Sequence, residues 1–222
     1  MNTENKVSII LTTTVHVTKN SAFQVDKMER INTYLKSIHL WLKKTDFNII
    51  VVENSGYSFE ELENELKIYK GRFEIHTYNE WADIRKNKGC LMHLDSKGGC
   101  EIESIHYAYD NSAILQLSTF IIKITGRFFV PDFKEYIHGI NLENYDCLKQ
   151  NFDFRCEIVG SHKKNFDTIF NRNLFINNGI YDWHIENVYA YRFSLYKNVL
   201  VCPIFNIEPT QRGGLDEIYY KL

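Results

Sequence analysis

The first apolar segment is Val7, Ser8, Ile9, Ile10 and Leu11, a short β-branched run halted by the hydroxyls of Thr12, Thr13 and Thr14. A run without a polar alternate face predicts a strand buried on both sides, central in its sheet. Met28, Ile31, Leu35, Ile38 and Leu42 then recur at steps of three and four and place one apolar stripe along a helix. A second strand, 47–52, stops at Glu53, Asn54, Ser55 and Gly56. Ser58 and Glu61 have the spacing of a capping box, and Phe59, Leu62, Leu66 and Tyr69 continue at helical steps up to Gly71. Phe73, Ile75 and Thr77 alternate with polar residues as a third strand does. The stretch 79–99 predicts a loop with a short helix, Ile102, Ile105 and Tyr109 a further helix, and 120–124 a further strand.

Strands alternating with helices need crossover connections and therefore a mainly parallel sheet. Beyond Pro131 the rhythm changes: short aromatic segments at 152–158 and 168–170, broken by Asn and Gly, predict antiparallel strands and loops. A last helix is predicted over 185–197 and a short strand over 199–201, ended by Pro203. The expected fold class is α/β, a mixed and mainly parallel sheet flanked by helices with an irregular C-terminal half. One domain spans 1–222, with halves 1–130 and 131–222.

Charge narrows the function. Lys and Arg number 26 against 28 Asp and Glu, so the 222-residue chain has no basic footprint for nucleic acid and any phosphate site must be local. No apolar run approaches the roughly 18–20 residues that cross a bilayer, and the polar start has no apolar signal core. Five scattered cysteines without a CxxC pair argue against a disulfide framework or a zinc module, so a reducing, cytoplasmic setting is expected. There is no GxxxxGK[ST] loop, GxGxxG turn, GxSxG elbow, HExxH helix or deaminase signature.

What remains is polar residues at the carboxyl ends of the predicted parallel strands, where open α/β sheets bind ligands. Thr12 and Thr13 end the first, and Glu53 and Asn54 the second; Glu53 suits a ribose hydroxyl or base N–H. The segment 121–130, IIKITGRFFV, carries Lys123 and Arg127 around Thr125 and Gly126. A lysine ending a buried strand must be paired or face a ligand, and a guanidinium offers a planar fork for phosphate or carboxylate.

VSIILTTTV, IIVVENSG, the turn Asn87-Lys88-Gly89 and above all KITGRFF resemble the small GT-A glycosyltransferases, viral or bacterial in type, that carry a K-x-[ST]-G-R-[YF] motif. The resemblance covers roughly residues 5–195 and implies transfer of a sugar from a nucleotide-diphosphate donor to a hydroxyl of a glycan or glycoprotein acceptor. Residues 1–130 are then the nucleotide-sugar half and 131–222 the acceptor side. Thr12, Thr13, Glu53 and Asn54 surround the nucleoside, with Lys88, Lys123, Thr125 and Arg127 near the phosphates. Most GT-A enzymes hold Mn2+ or Mg2+ on a DxD motif where this chain has Lys123-Ile124-Thr125. Either Lys123 and Arg127 neutralise the leaving diphosphate, or a lone carboxylate such as Asp95 or Asp110 recruits the metal. The late Trp183-His184-Ile185-Glu186 offers Glu186 as the base of an inverting enzyme, with Asp182 as second candidate and Tyr181 and Trp183 as rings for an acceptor sugar. Gly213-Gly214-Leu215-Asp216 reads as a lid or as a turn before a frayed end. A nucleotide-binding module without transfer is the alternative reading. A methyltransferase is weaker, because the first turn lacks a glycine-rich loop.

Overall fold

The computed structural model describes residues 6–17, 23–86, 92–152 and 154–222. A seven-stranded sheet in the order β3-β2-β1-β4-β6-β5-β9 forms its centre. Its strands are β1 (Val7–Thr13), β2 (Asn48–Glu53), β3 (Phe73–Thr77), β4 (Phe120–Thr125), β5 (Cys147–Lys149), β6 (Ile158–His162) and β9 (Val199–Val201). β1 pairs in parallel with both β2 and β4, and β6 runs antiparallel to its neighbours β4 and β5. The mixed, mainly parallel sheet expected from the crossover pattern is present. The strands from the second half of the chain extend the same sheet.

The β-branched runs are buried on both faces because helices cover both. On one side Ile9, Leu11, Ile49, Val51, Ile122 and Ile124 pack against α1 (Lys27–Lys44). On the other, Ile10, Ile50, Val52 and Ile121 meet Ile102 and Ile105 of α3 (Lys97–Asn111) and Val188 of α7 (Ile185–Ser194). Asp26 caps α1, accepting from Glu29 N at 2.8 Å. The buried face of α1 is centred on Ile31, Tyr34, Ile38 and Trp41, and Met28, expected in the stripe, is 58% exposed.

Several expectations are corrected. The capping box does not form: the buried Phe59 adopts a left-handed backbone (φ 53°), a 3-10 turn follows, and Ser58 Oγ donates to Glu60 instead. Only the short α2 (Glu63–Ile68) comes after it. α3 starts earlier than its apolar stripe suggests, because Ser96 caps it by accepting from Gly99 N at 3.0 Å. The short α4 (Ala113–Gln116) leads into β4, and α5 (Phe133–His138) follows it. Thr168 lies in a short helix, α6 (Phe166–Ile169), not in a strand, and α7 ends at Ser194, short of Lys197. The short ribbon of β7 (Phe175–Ile176) and β8 (Ile180–Tyr181) precedes α7. The chain ends in a hairpin, β10 (Asn206–Gln211) and β11 (Ile218–Lys221), whose last residue is held: Leu222 is buried and exchanges backbone hydrogen bonds with Phe205.

Candidate functional site

The carboxyl ends of β1, β2 and β4 form one polar edge. Thr13 Oγ1 donates to Val52 O at 3.0 Å, and Thr14 Oγ1 to Asn54 Oδ1 at 2.7 Å, so the ends of β1 and β2 are tied by hydroxyls. Asn54 in turn donates to Glu80 Oε2 at 3.2 Å. Glu53 has no exposed surface, and its oxygens accept from the amides of Val15 (2.8 Å), Ser55 (2.9 Å) and Tyr57 (2.8 Å) and from the Ser55 hydroxyl. The expected ribose acceptor is thus a buried staple between the loops after β1 and β2. Backbone donors of both loops consume it.

Lys123 is likewise turned inward. It is wholly buried, with Nζ 2.8 Å from Glu101 Oε2 and donating to Cys156 O at 2.7 Å and Thr125 Oγ1 at 3.3 Å. Burial acts to lower its pKa, but the Glu101 carboxylate together with Cys156 and Glu157 more than offsets burial and raises it, so the ammonium stays charged. Glu101, on α3, also accepts from Thr12 Oγ1 at 2.9 Å. Thr12, Glu101, Lys123 and Thr125 therefore form one network.

Arg127 points to the other face. Its guanidinium lies 5.8 Å from the Tyr34 ring of α1 and donates to Gln211 O at 3.4 Å in the C-terminal hairpin. The two cations that the KITGR segment brings within four residues go to different partners, because β4 ends at Thr125 and the chain turns there, closed by Phe128 N donating to Thr125 O, before Arg127 is placed. Gly126 makes the turn feasible: it donates to Thr12 O at 2.9 Å, and a Cβ there would stand 2.7 Å from that oxygen.

Glu186 lies in the first turn of α7 and is partly exposed. The helix reaches the edge through a close contact with α3, where a Cβ on Gly98 would stand 2.2 Å from Ile185 Cβ. Glu101 and Glu186 both push up the pKa of the buried Cys156 thiol and of the Tyr189 phenol, after burial itself, so the two carboxylates share one neighbourhood. Asp182 is committed to the helix start, accepting from His184 N at 2.8 Å and Asn187 Nδ2 at 3.0 Å. Its carboxylate closes a turn before the helix, which leaves Glu186 as the partly exposed carboxylate of the first turn. Beside it, the Tyr181 ring meets Phe175 and Trp183 edge-on, with centroids 5.5 and 4.8 Å away, and Trp183 is 51% exposed.

Gly213 and Gly214 sit in the turn of the hairpin. Phe23 N donates to Gly213 O at 2.9 Å, a Cβ on Gly213 would stand 2.2 Å from Arg127, and one on Gly214 would stand 3.9 Å from Lys97 Nζ. The expected frayed end is instead a turn laid between Arg127 and the start of α3. Its glycines leave room for the guanidinium.

Among the described residues no three His, Cys, Asp or Glu side chains come together as metal ligands, and Lys123 stands where an acidic pair would be needed. At the described end of β4 the Glu101 carboxylate is already taken by Lys123 and Thr12. Asp110 lies far along α3, with its carboxylate 3.8 Å from Arg172. Lys88 lies outside the described residues.

Glu101 escaped the sequence reading although a buried lysine needs a partner. Nothing in the primary pattern says which of 28 acidic residues supplies it. No helix of the described residues is long and apolar enough to cross a membrane.

No protein-family model and no curated protein matches the chain. Among solved structures it is similar to a Desulfovibrio desulfuricans G20 protein assigned as a nucleotide-diphospho-sugar transferase, with 14% identity, TM-score 0.50, and 90% of this chain and 80% of that one covered. It is similar too to the bifunctional glycosyltransferase WbbM, with 9% identity and TM-score 0.53; 91% of this chain aligns to 40% of WbbM, less than half of its length. At such identities the likeness concerns the fold alone. The chain has the GT-A-like fold of nucleotide-diphospho-sugar transferases.

Proposed function

We propose that this chain is a glycosyltransferase that moves a sugar from a nucleotide-diphosphate donor to a hydroxyl of a glycan or glycoprotein acceptor. The observation that carries the reading is the Thr12-Glu101-Lys123 network at the carboxyl edge of β1 and β4, with Glu186 in the same electrostatic neighbourhood, on a fold of this class. Partly exposed Glu186 takes the proton of the acceptor hydroxyl as its oxygen bonds to the anomeric carbon. The bond to the diphosphate breaks with the electron pair leaving on phosphate, and cationic Arg127, with Lys97 across the Gly213–Gly214 turn, offsets that charge. Lys123 acts through Glu101 and Thr12, holding their geometry, since its own charge is neutralised. Asn54 and Thr14 line the nucleoside end, and the Tyr181 and Trp183 rings border the acceptor side.

The test is a thermal-shift panel of UDP, GDP, CMP, dTDP and S-adenosylmethionine, each with and without Mn2+. A ligand at a hundred times its Kd stabilises the fold by about 2.7 kcal/mol. A shift with one nucleoside diphosphate, followed by sugar transfer in an acceptor screen, supports the reading. Binding without transfer assigns a non-catalytic module. A response to S-adenosylmethionine alone assigns a methyltransferase, and silence across the panel overturns the proposal.

A further inference from the structure

A cavity of about 160 Å3 lies between α1 and the C-terminal hairpin, with Ser37, Lys36 and Leu40 on one wall and Arg127, Glu208 and Gln211 on the other. Two of its polar groups are left unsatisfied by the chain. Ser37 is 3% exposed, and its hydroxyl is buried with no hydrogen-bond partner among the described residues. Buried hydroxyls are paired in the great majority of cases, so a lone one lining a cavity points to something that enters it. Arg127 makes a single hydrogen bond, the 3.4 Å contact to Gln211 O, and has no carboxylate within ion-pair distance among the described residues.

The electrostatics point the same way. Arg30 is buried beside Arg127, held by carbonyls of Thr14 and Gln24 and by the Tyr34 hydroxyl, and the charge of Arg127 disfavours its own. Two guanidiniums flank one tyrosine. At the mouth Lys36 and Glu208 close on each other at 2.5 Å, with both side chains more than half exposed, so this pair opens at little cost.

We propose that this cavity binds a small oxyanion, a phosphate or a carboxylate, accepted by the Arg127 guanidinium and by the Ser37 hydroxyl, with Lys36 released from Glu208 to complete the set. A bound oxyanion bridges α1 to the hairpin and fixes the guanidinium whose other neighbour is the Gly213 turn. Arg127 serves both this site and the transfer reading, whereas Ser37 takes no part in transfer, so a Ser37 variant tests the cavity by itself.

The experiment is titration of the full chain with inorganic phosphate and, in parallel, with acetate at constant ionic strength, read by thermal shift and calorimetry. Saturable stabilisation by either anion is expected, and the responding anion names the class. Ser37→Val, which removes the hydroxyl and fills its space, is expected to weaken that response about tenfold or more while the nucleoside-diphosphate shift stays as in the native chain. Should Ser37→Val fold poorly, Ser37→Ala and the cavity-filling Leu40→Phe take its place. A response no larger than that to chloride, or one of equal strength in the native chain and the Ser37 variants, overturns the proposal.

Discussion

Lys123 Nζ lies 2.8 Å from Glu101 Oε2, wholly buried at the end of the strand where GT-A enzymes commonly hold a metal. The charge that KITGR offers a phosphate on paper is thus spent inside the protein. Removing one partner leaves an uncompensated buried charge, which costs about 3–5 kcal/mol. Lys123→Met and Glu101→Gln are each expected to destabilise on that scale in urea denaturation, and the double variant Lys123→Met/Glu101→Leu by clearly less than the sum. Additive losses would show that the two groups do not depend on each other.

Glu186 and Asp182 separate by role. Glu186→Gln is expected to lower kcat by about 10²–10⁴-fold while leaving nucleotide binding and thermal stability near native, as loss of a general base does. Asp182→Asn keeps an acceptor for His184 N and Asn187, so it is expected to retain most activity, and Asp182→Ala to cost about 0.5–2 kcal/mol in stability. A Glu186→Gln enzyme at full rate would remove the base assignment.

Arg127→Ala is expected to abolish transfer with the fold intact, because its guanidinium lies over Tyr34 and makes one long hydrogen bond. With a lysine-glutamate pair at the end of β4, nucleotide stabilisation is expected to persist in EDTA. A thermal shift that appears only with Mn2+ would place a metal at this edge.

The approach of α3 and α7 depends on a missing side chain. A methyl on Gly98 would stand 2.2 Å from Ile185 Cβ, so Gly98→Ala is expected to cost about 1–3 kcal/mol through overpacking. Ile185→Ala in the same chain should recover part of that loss, as differential scanning calorimetry can show.

Acid tests the Glu103 cluster. Burial raises the Glu103 pKa, but hydrogen bonds from His93 and Arg172 outweigh it and bring it from 4.5 down to about 2. A lowered pKa gives stability that is complete above the ordinary value and lost as pH falls from about 4.5 to about 2. Equilibrium denaturation across that window is expected to show a steeper loss for the native chain than for Glu103→Gln. Identical slopes would mean that the pair adds nothing.

The strands and the main helices could be read from the chain because burial on two faces demands β-branched runs, and burial on one face demands steps of three and four. Those patterns are local, and β1, β2, β4 and α1 lie where they indicate. The family resemblance likewise led to an edge that the strands do assemble. The place of Glu186 in the first turn of α7 was legible because a helix start after an aromatic segment is a local signal.

Tertiary structure alone decided what the charged side chains do. The choice of Glu101 for Lys123, the reach of Glu53 to the Val15 amide, and the seating of the Gly213 turn on Arg127 all join residues distant in sequence. Hydrophobic periodicity reports which face is buried and carries no information about partners. Hydrogen bonds need contact within about 3 Å and ion pairs strengthen steeply as charges close, so pairing is settled only when packing has fixed which groups meet.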